Sequence, residues 1–141
     1  MCYEGDEYGM LYSNVNADKD IIYTLKRWLE NKNNKICLSD HIIDCGYSNI
    51  GIVDASEIGR LLYGELKDTN VSVRWFIDKN AEGIVDIDGI SVFLLNEIPI
   101  LPKVDIVVIS PIYDYEELKK YIARHDPSIR TVCLKDLVSE V

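Results

Sequence analysis

The sequence predicts an α/β fold, a mostly parallel sheet covered on both faces by helices and preceded by two N-terminal helices. Three observations carry this expectation. From Asn49 onward, short β-branched apolar runs alternate with amphipathic stretches, the spacing of strand, helix and strand. Runs such as "IVVI" are apolar throughout, as expected of strands buried on both faces. At 141 residues, 48% hydrophobic and 28% charged, the chain can bury one sizeable core but is too short for two full domains.

Residues 1–16 are acidic and aromatic, with neither a helical nor a strand period, and read as an extended arm. Residues 17–47 read as a helical segment packed on the core. Between Asp18 and Asn31, Ile21, Ile22, Leu25, Trp28 and Leu29 recur at helical spacing among Lys and Glu residues. Polar "NKNNK" ends that helix, and "LSDHIIDCG" reads as a short second one with Ser39 as N-cap and Gly46 at its stop. His41 has no Ser, Cys or carboxylate partner assignable by spacing and reads as packed or simply exposed, not catalytic.

Residues 48–141 form the main domain. Ile50 to Val53 is a buried-strand run, Glu57 to Lys67 is helical with Ile58, Leu61, Leu62 and Leu66 on one side, and Val71 to Ile77 is a β-branched and aromatic strand. Together they make a βαβ unit, whose crossover is expected to be right-handed. A polar turn (Asp78 to Gly83) follows, then strands at Ile90 to Phe93 and Asp105 to Ile109. A helix from Tyr115 to Arg124, a strand at Thr131 to Leu134 and a last helical turn in "KDLVSEV" complete the order.

A net charge of -9 and a pI near 4.6 exclude a protein held on nucleic acid by phosphate contacts, which need a clustered basic surface. Apolar runs are far shorter than a membrane span, and "MCYEGDEYGM" has neither a basic start nor an apolar stretch, so no membrane insertion and a cytoplasmic location are expected. Cys2, Cys37, Cys45 and Cys133 stand far apart with no C-x-x-C pair, the pattern of reduced, mostly buried thiols; neither a metal site nor a disulfide framework is expected.

In a parallel sheet, ligands sit outside the carboxyl ends of the strands where strand order reverses. That directs attention to Asp54–Gly59, Asp78–Asn80 and Ser110–Asp114. The dinucleotide fingerprint G-x-G-x-x-G needs its first glycine for a tight turn, its second for close approach of amides to pyrophosphate, and its third for helix–strand packing. Here those places hold Asp54, Ser56 and Gly59, which makes Asp54, Ala55, Ser56, Ile58 and Gly59 the candidate phosphate-binding turn. A serine hydroxyl can cap the helix or donate to a phosphate, but its Cβ fills the space the second glycine leaves open. A carboxylate about 5 Å from a phosphate repels it by roughly 3 kcal/mol at an effective dielectric near 20, which weakens binding about a hundredfold. Asp78, with Lys79 beside it, stands about twenty residues beyond Gly59, where an acidic side chain accepts ribose hydroxyls; capping of its own loop is the competing reading. Ser110 and Pro111 open the third loop, and the proline is expected to shape it for contact with a ligand.

The segments "IGIVDASEIGRLLYGELK", "VSVRWFIDKNAE" and "DIDGISVFLLNEI" resemble the Rossmann-like, three-layer nucleotide-binding module of bacterial polysaccharide and glycan biosynthesis. That module occurs as the N-terminal domain of sugar-nucleotide acetyltransferases and the soluble module of sugar-nucleotide dehydratases. The resemblance covers about Ser48 to Val138 and implies binding of a nucleotide, NAD(P) or a nucleotide sugar through Gly59 and Asp78. It also implies a glycan-biosynthesis enzyme as partner, whereas a second copy as partner is expected from the Trp28 helix and the acidic arm. With the glycine turn eroded, the expected function is a non-catalytic or weakly binding module acting as scaffold or regulator. The alternatives are a small NAD-dependent oxidoreductase or dehydratase using Tyr113, Asp114 or Tyr115, and a degenerate receiver-like or dimerising interaction protein. In the receiver reading, Ser110 stands at the phosphoacceptor place.

Overall fold

The computed structural model describes residues 7–112 and 114–141, and of residues 7–17 the backbone alone. Its elements in chain order are α1 (Glu7–Asn33), α2 (Leu38–Asp44), β1 (Asn49–Val53), α3 (Glu57–Leu66), β2 (Ser72–Ile77), α4 (Ala81–Ile84) and β3 (Asp86–Ile87). There follow β4 (Ile90–Phe93), a 3-10 helix (Leu95–Ile100), β5 (Ile106–Ile109), α5 (Tyr115–His125), β6 (Thr131–Cys133) and α6 (Leu134–Glu140). The six strands form one sheet in the order β3-β4-β2-β1-β5-β6, parallel throughout except for the β3–β4 pair. Strand order therefore reverses between β1 and β5.

Alternate residues along each strand face opposite sides, and the sheet has a core on each. Ile50, Ile52, Phe76, Ile106 and Val108 pack with Trp28, Leu38, Leu62, Leu66, Leu134 and Val138. Val53, Trp75, Ile77, Val107 and Ile109 pack with Ile98, Leu101 and Ile122. Helices α1, α2, α3 and α6 thus cover one face, and the 3-10 helix and α5 the other. The β1–β2 register shifts between Ile50, opposite Val73, and Gly51, opposite Trp75, which leaves Arg74 as the extra residue of a bulge. The bulge is why Val73 and Trp75, two residues apart, serve different cores. Gly51 makes the arrangement fit: a Cβ there would stand 2.4 Å from the Trp75 ring. The Trp75 indole N–H donates to the Pro102 carbonyl at 3.0 Å, fixing the ring over that gap.

Glu65 of α3, its side chain 5% exposed, joins three helices. Its carboxylate accepts the Trp28 indole N–H at 2.6 Å and the Leu38 backbone N–H at 2.7 Å, with Lys32 at 3.6 Å. The leading amide of α2 is therefore satisfied from α3, the N-cap residue is Cys37, and Ser39 is buried inside the first turn instead of capping it. The other end of α2 follows expectation. Gly46 adopts φ 90°, its N–H bonds to the Ile43 carbonyl and that of Tyr47 to the Ile42 carbonyl, the double bond of a Schellman stop. On α1, Asn31 donates to the Val138 carbonyl at 3.0 Å and Asp20 pairs with Lys135 at 3.1 Å, docking the helix onto α6.

Expectation and structure differ at the start of α1, between β2 and β4, and at the 3-10 helix, which the sequence did not announce. α1 begins at Glu7, so residues 7–16 are helical where an extended arm is expected; residues 1–6 lie outside the described residues. The segment contains no proline, and extending an anchored helix costs far less than nucleating one. Between β2 and β4 the chain inserts α4 and the edge strand β3 in place of a simple polar turn. Asp88 (φ 52°) and Gly89 (φ 81°) supply the two positive φ angles of a tight two-residue hairpin, with Ile87 opposite Ile90. Among the described residues, no helix is long and apolar enough to cross a membrane.

Candidate functional site

The carboxyl ends of the strands are laced together by backbone bonds. Asp54 N–H donates to the Ile77 carbonyl at 2.7 Å, Asp78 N–H to Phe93 at 3.0 Å and Ser110 N–H to Val53 at 3.2 Å. The β1–α3 turn therefore sits at a fixed height between β2 and β5, at the point of strand-order reversal.

In that turn Asp54 has φ 109°, in the range that favours glycine and that the first fingerprint glycine would adopt without strain. Its side chain turns back onto the start of α3. One carboxylate oxygen accepts the Ser56 N–H at 2.7 Å and the Ser56 hydroxyl; the other accepts the Gly59 N–H at 3.3 Å. Ser56 holds the N-cap position, but its hydroxyl makes no capping bond to α3 and donates to Asp54 instead. The unpaired amides at a helix start are what a phosphate would use. Here the chain's own carboxylate takes two of the amides at that place, those of Ser56 and Gly59. Gly59 keeps its packing role, since a Cβ there would meet the Asp54 carbonyl oxygen at 1.9 Å. Ala55 is buried, with its N–H on Asp78 at 2.9 Å and its carbonyl receiving the Arg60 side chain at 2.9 Å.

Asp78 ties the loops together. One oxygen accepts the Ala55 N–H and the other accepts the Asn80 N–H at 2.9 Å. The loop-capping geometry considered for this residue is present. Beside it lies a cleft of about 560 Å³, lined by Val53, Asp54, Ile77, Asp78, Lys79 and Pro111 from the strand ends. Leu94, Leu95 and Asn96 line it from the 3-10 helix, and Asp114, Leu118 and Tyr121 from around α5. The Glu97 carboxylate accepts the Leu94 N–H at 2.7 Å, which fixes the start of the 3-10 helix beside the cleft. Three carboxylates against the single Lys79 ammonium give the lining a negative balance, unfavourable to phosphate.

Of the sequence-derived candidates, Asp54, Asp78, Lys79, Pro111 and Asp114 therefore meet at one cleft. Ser56 is exposed beside it, Ile58 is half-buried against the first core, and Ala55 and Gly59 are buried in the turn. Ser110 is buried, and its hydroxyl has no hydrogen-bond partner among the described residues. Sequence reasoning missed Leu94, Leu95, Asn96, Leu118 and Tyr121. The run "FLLNEI" carried the one available signal, an apolar pair continuing past the end of a strand.

For acid–base chemistry, Tyr113 lies outside the described residues. Asp114 is exposed at the start of α5, while Tyr115 is half-buried against the second core with the Lys119 ammonium 5.8 Å from its ring centroid. The Tyr-x-x-x-Lys spacing thus gives a cation near a ring face. At the far side of the molecule, His41 Nε2 is 2.8 Å from Glu140 and 3.7 Å from the Cys45 sulfur. Both partners address the same nitrogen, whereas a relay from thiol to carboxylate needs one on each. Contrary to the expectation of mostly buried thiols, Cys37 and Cys45 are exposed and Cys133 alone of the three described is buried. Among the described residues, no group of three His, Cys, Asp or Glu side chains is arranged to hold a metal ion.

No protein-family model, curated protein or solved structure gives a significant match to the chain.

Proposed function

We propose that this chain is a Rossmann-like module that retains the layout of a nucleotide-binding domain, binds a nucleotide or nucleotide sugar weakly or not at all, and acts as a scaffold or regulator. The observation that carries the reading is the Asp54 carboxylate on the Ser56 and Gly59 amides, where a bound phosphate would otherwise sit. Two further features support it. Taken in chain order, the parallel strands lie 3-2-1-4-5 across the sheet, the order of dinucleotide-binding folds, and not the 2-1-3-4-5 order of receiver-type folds. That favours the Rossmann-like layout over the receiver-like alternative. The internal engagement of Asp78 also leaves the ribose-binding carboxylate serving the backbone. The resemblance of the sequence to modules of bacterial glycan biosynthesis supplies the setting, with an enzyme of that chemistry as partner.

Thermal melting against NAD, NADP, UDP, UDP-sugars, CDP and CoA tests this, with the Asp54→Gly, Ser56→Gly chain alongside. A ligand at a hundred times its Kd adds about 2.7 kcal/mol to stability, enough to move a melting curve by several degrees. The expected result is a rise confined to the variant. An equal or larger rise in the unaltered chain overturns the reading and makes that ligand the starting point for an enzyme assay.

A further inference from the structure

We propose that the cavity beside β6 is a binding site for a small organic acid, a carboxylate carried on an apolar body. It lies apart from the strand-end cleft and stands or falls without the nucleotide reading.

β6 ends the sheet on the side away from β3. Next to it is a cavity of about 530 Å³, within the range of small-molecule sites, roughly 300–1,000 Å³. Thr131 and Val132 of β6 line it, together with residues from α2, α5 and α6. Its apolar wall has buried members from three elements: Ile42 of α2, Ile106 and Val108 of β5, and Leu137 of α6. Such a wall favours a ligand with an apolar body and offers a bare ion nothing.

The charges around that wall decide the rest of the ligand. Three basic side chains line the cavity, His41, Lys119 and Arg130, against the single carboxylate of Glu140. His41 Nε2 already engages that carboxylate at 2.8 Å. Arg130 is held in place, because its Nη1 donates to the Tyr47 hydroxyl at 2.9 Å. Among the described residues, neither Arg130 nor Lys119 forms an ion pair. The chain has 24 Asp and Glu against 15 Lys and Arg, so these two are not left over for want of carboxylates. A planar guanidinium with N–H groups to spare donates two parallel bonds to a carboxylate. The second negative charge of a phosphate monoester would meet Glu140 as well, which favours the single charge of a carboxylate.

Calorimetric titration of the full chain with octanoate tests the proposal. One saturable site is expected, with a Kd below about 1 mM. Acetate, which lacks the body, octylamine, which reverses the charge, and octyl phosphate, which adds to it, are each expected to bind more weakly. The Arg130→Gln chain is expected to bind octanoate at least tenfold more weakly with unchanged circular dichroism, since Arg130 is exposed. Ala123→Trp, at an exposed position of α5 on the cavity wall, fills the space and is the second variant. Cys45 gives a local readout, because it lines the cavity whereas Cys37, also exposed, does not. Octanoate is expected to slow alkylation of Cys45 by iodoacetamide and to leave Cys37 unaffected. No saturable binding, equal or tighter binding of acetate, octylamine or octyl phosphate, unchanged affinity in both variants, or equal slowing of the two thiols each overturns the proposal.

Discussion

Asp54 has to satisfy two opposing demands. Its positive φ is a conformation that costs a side-chain-bearing residue on the order of 1 kcal/mol, while its carboxylate satisfies amides that would otherwise be left at the start of α3. Asp54→Gly relaxes the backbone and empties the place; Asp54→Asn removes the charge but leaves the place filled. Phosphate affinity is therefore expected to rise in the order unaltered, Asn, Gly. Elsewhere, Asp126 shows how a carboxylate at the surface is tuned. The Lys103 ammonium at 2.7 Å, helped by the Ser128 hydroxyl and N–H, lowers its carboxyl from 3.8 to about 2. A folded value below the unfolded one contributes stability that is complete above about pH 3.8 and is lost as the pH falls towards 2. Asp105, which accepts the Ser48 and Asn49 amides at the start of β1, is lowered in the same direction by those bonds. Lys103→Met is expected to move the Asp126 titration upward, read from its carboxyl carbon shift by NMR. An unmoved titration would show that Ser128 alone sets it.

At the scale of elements, the β1–β2 pair depends on one missing methyl group. Gly51→Ala drives a Cβ into the Trp75 ring, and overpacking of this kind costs about 1–3 kcal/mol. The loss is expected in urea unfolding, and adding Trp75→Leu should make the double variant less unstable than the two single losses summed, because they share a contact. Strict additivity would mean that the ring moves aside freely. Much of this level was legible in the sequence. The apolar runs at Ile50–Val53 and Ile106–Ile109 and the stripes of α3 and α5 carry their periodicity openly. The start of α1 was not legible, since residues 7–16 have polar and apolar side chains in no simple alternation and helix propagation decides their state. β3 was hidden for another reason. A two-residue strand has no measurable period, and only the Asp88–Gly89 dipeptide marks its hairpin. Ser39 misled because α2 starts before it: Glu65, from another helix, accepts the Leu38 N–H, and Ser39 lies buried inside the first turn.

For the whole molecule, the sheet brings together what the sequence separates. Its two cores are built from opposite faces of the same strands, and strand-order reversal between β1 and β5 places Asp54, Asp78, Lys79 and Pro111 around one cleft. Those four were legible from strand ends alone, because the position of a residue just after a parallel strand fixes its side of the sheet. The far wall was not: Leu94, Leu118 and Tyr121 come from segments whose docking depends on the second core. Nor does spacing state where the Asp54 carboxylate points, and this single torsional choice separates an open phosphate site from a filled one. Amide NMR during titration of inorganic pyrophosphate, for the unaltered chain and for Asp54→Gly, reads that choice directly. With the place filled by Asp54, the Ser56 and Gly59 resonances stay fixed in the unaltered chain and move saturably in the variant. Saturable movement of both in the unaltered chain, or none in either, would contradict a phosphate site occupied by the protein's own carboxylate.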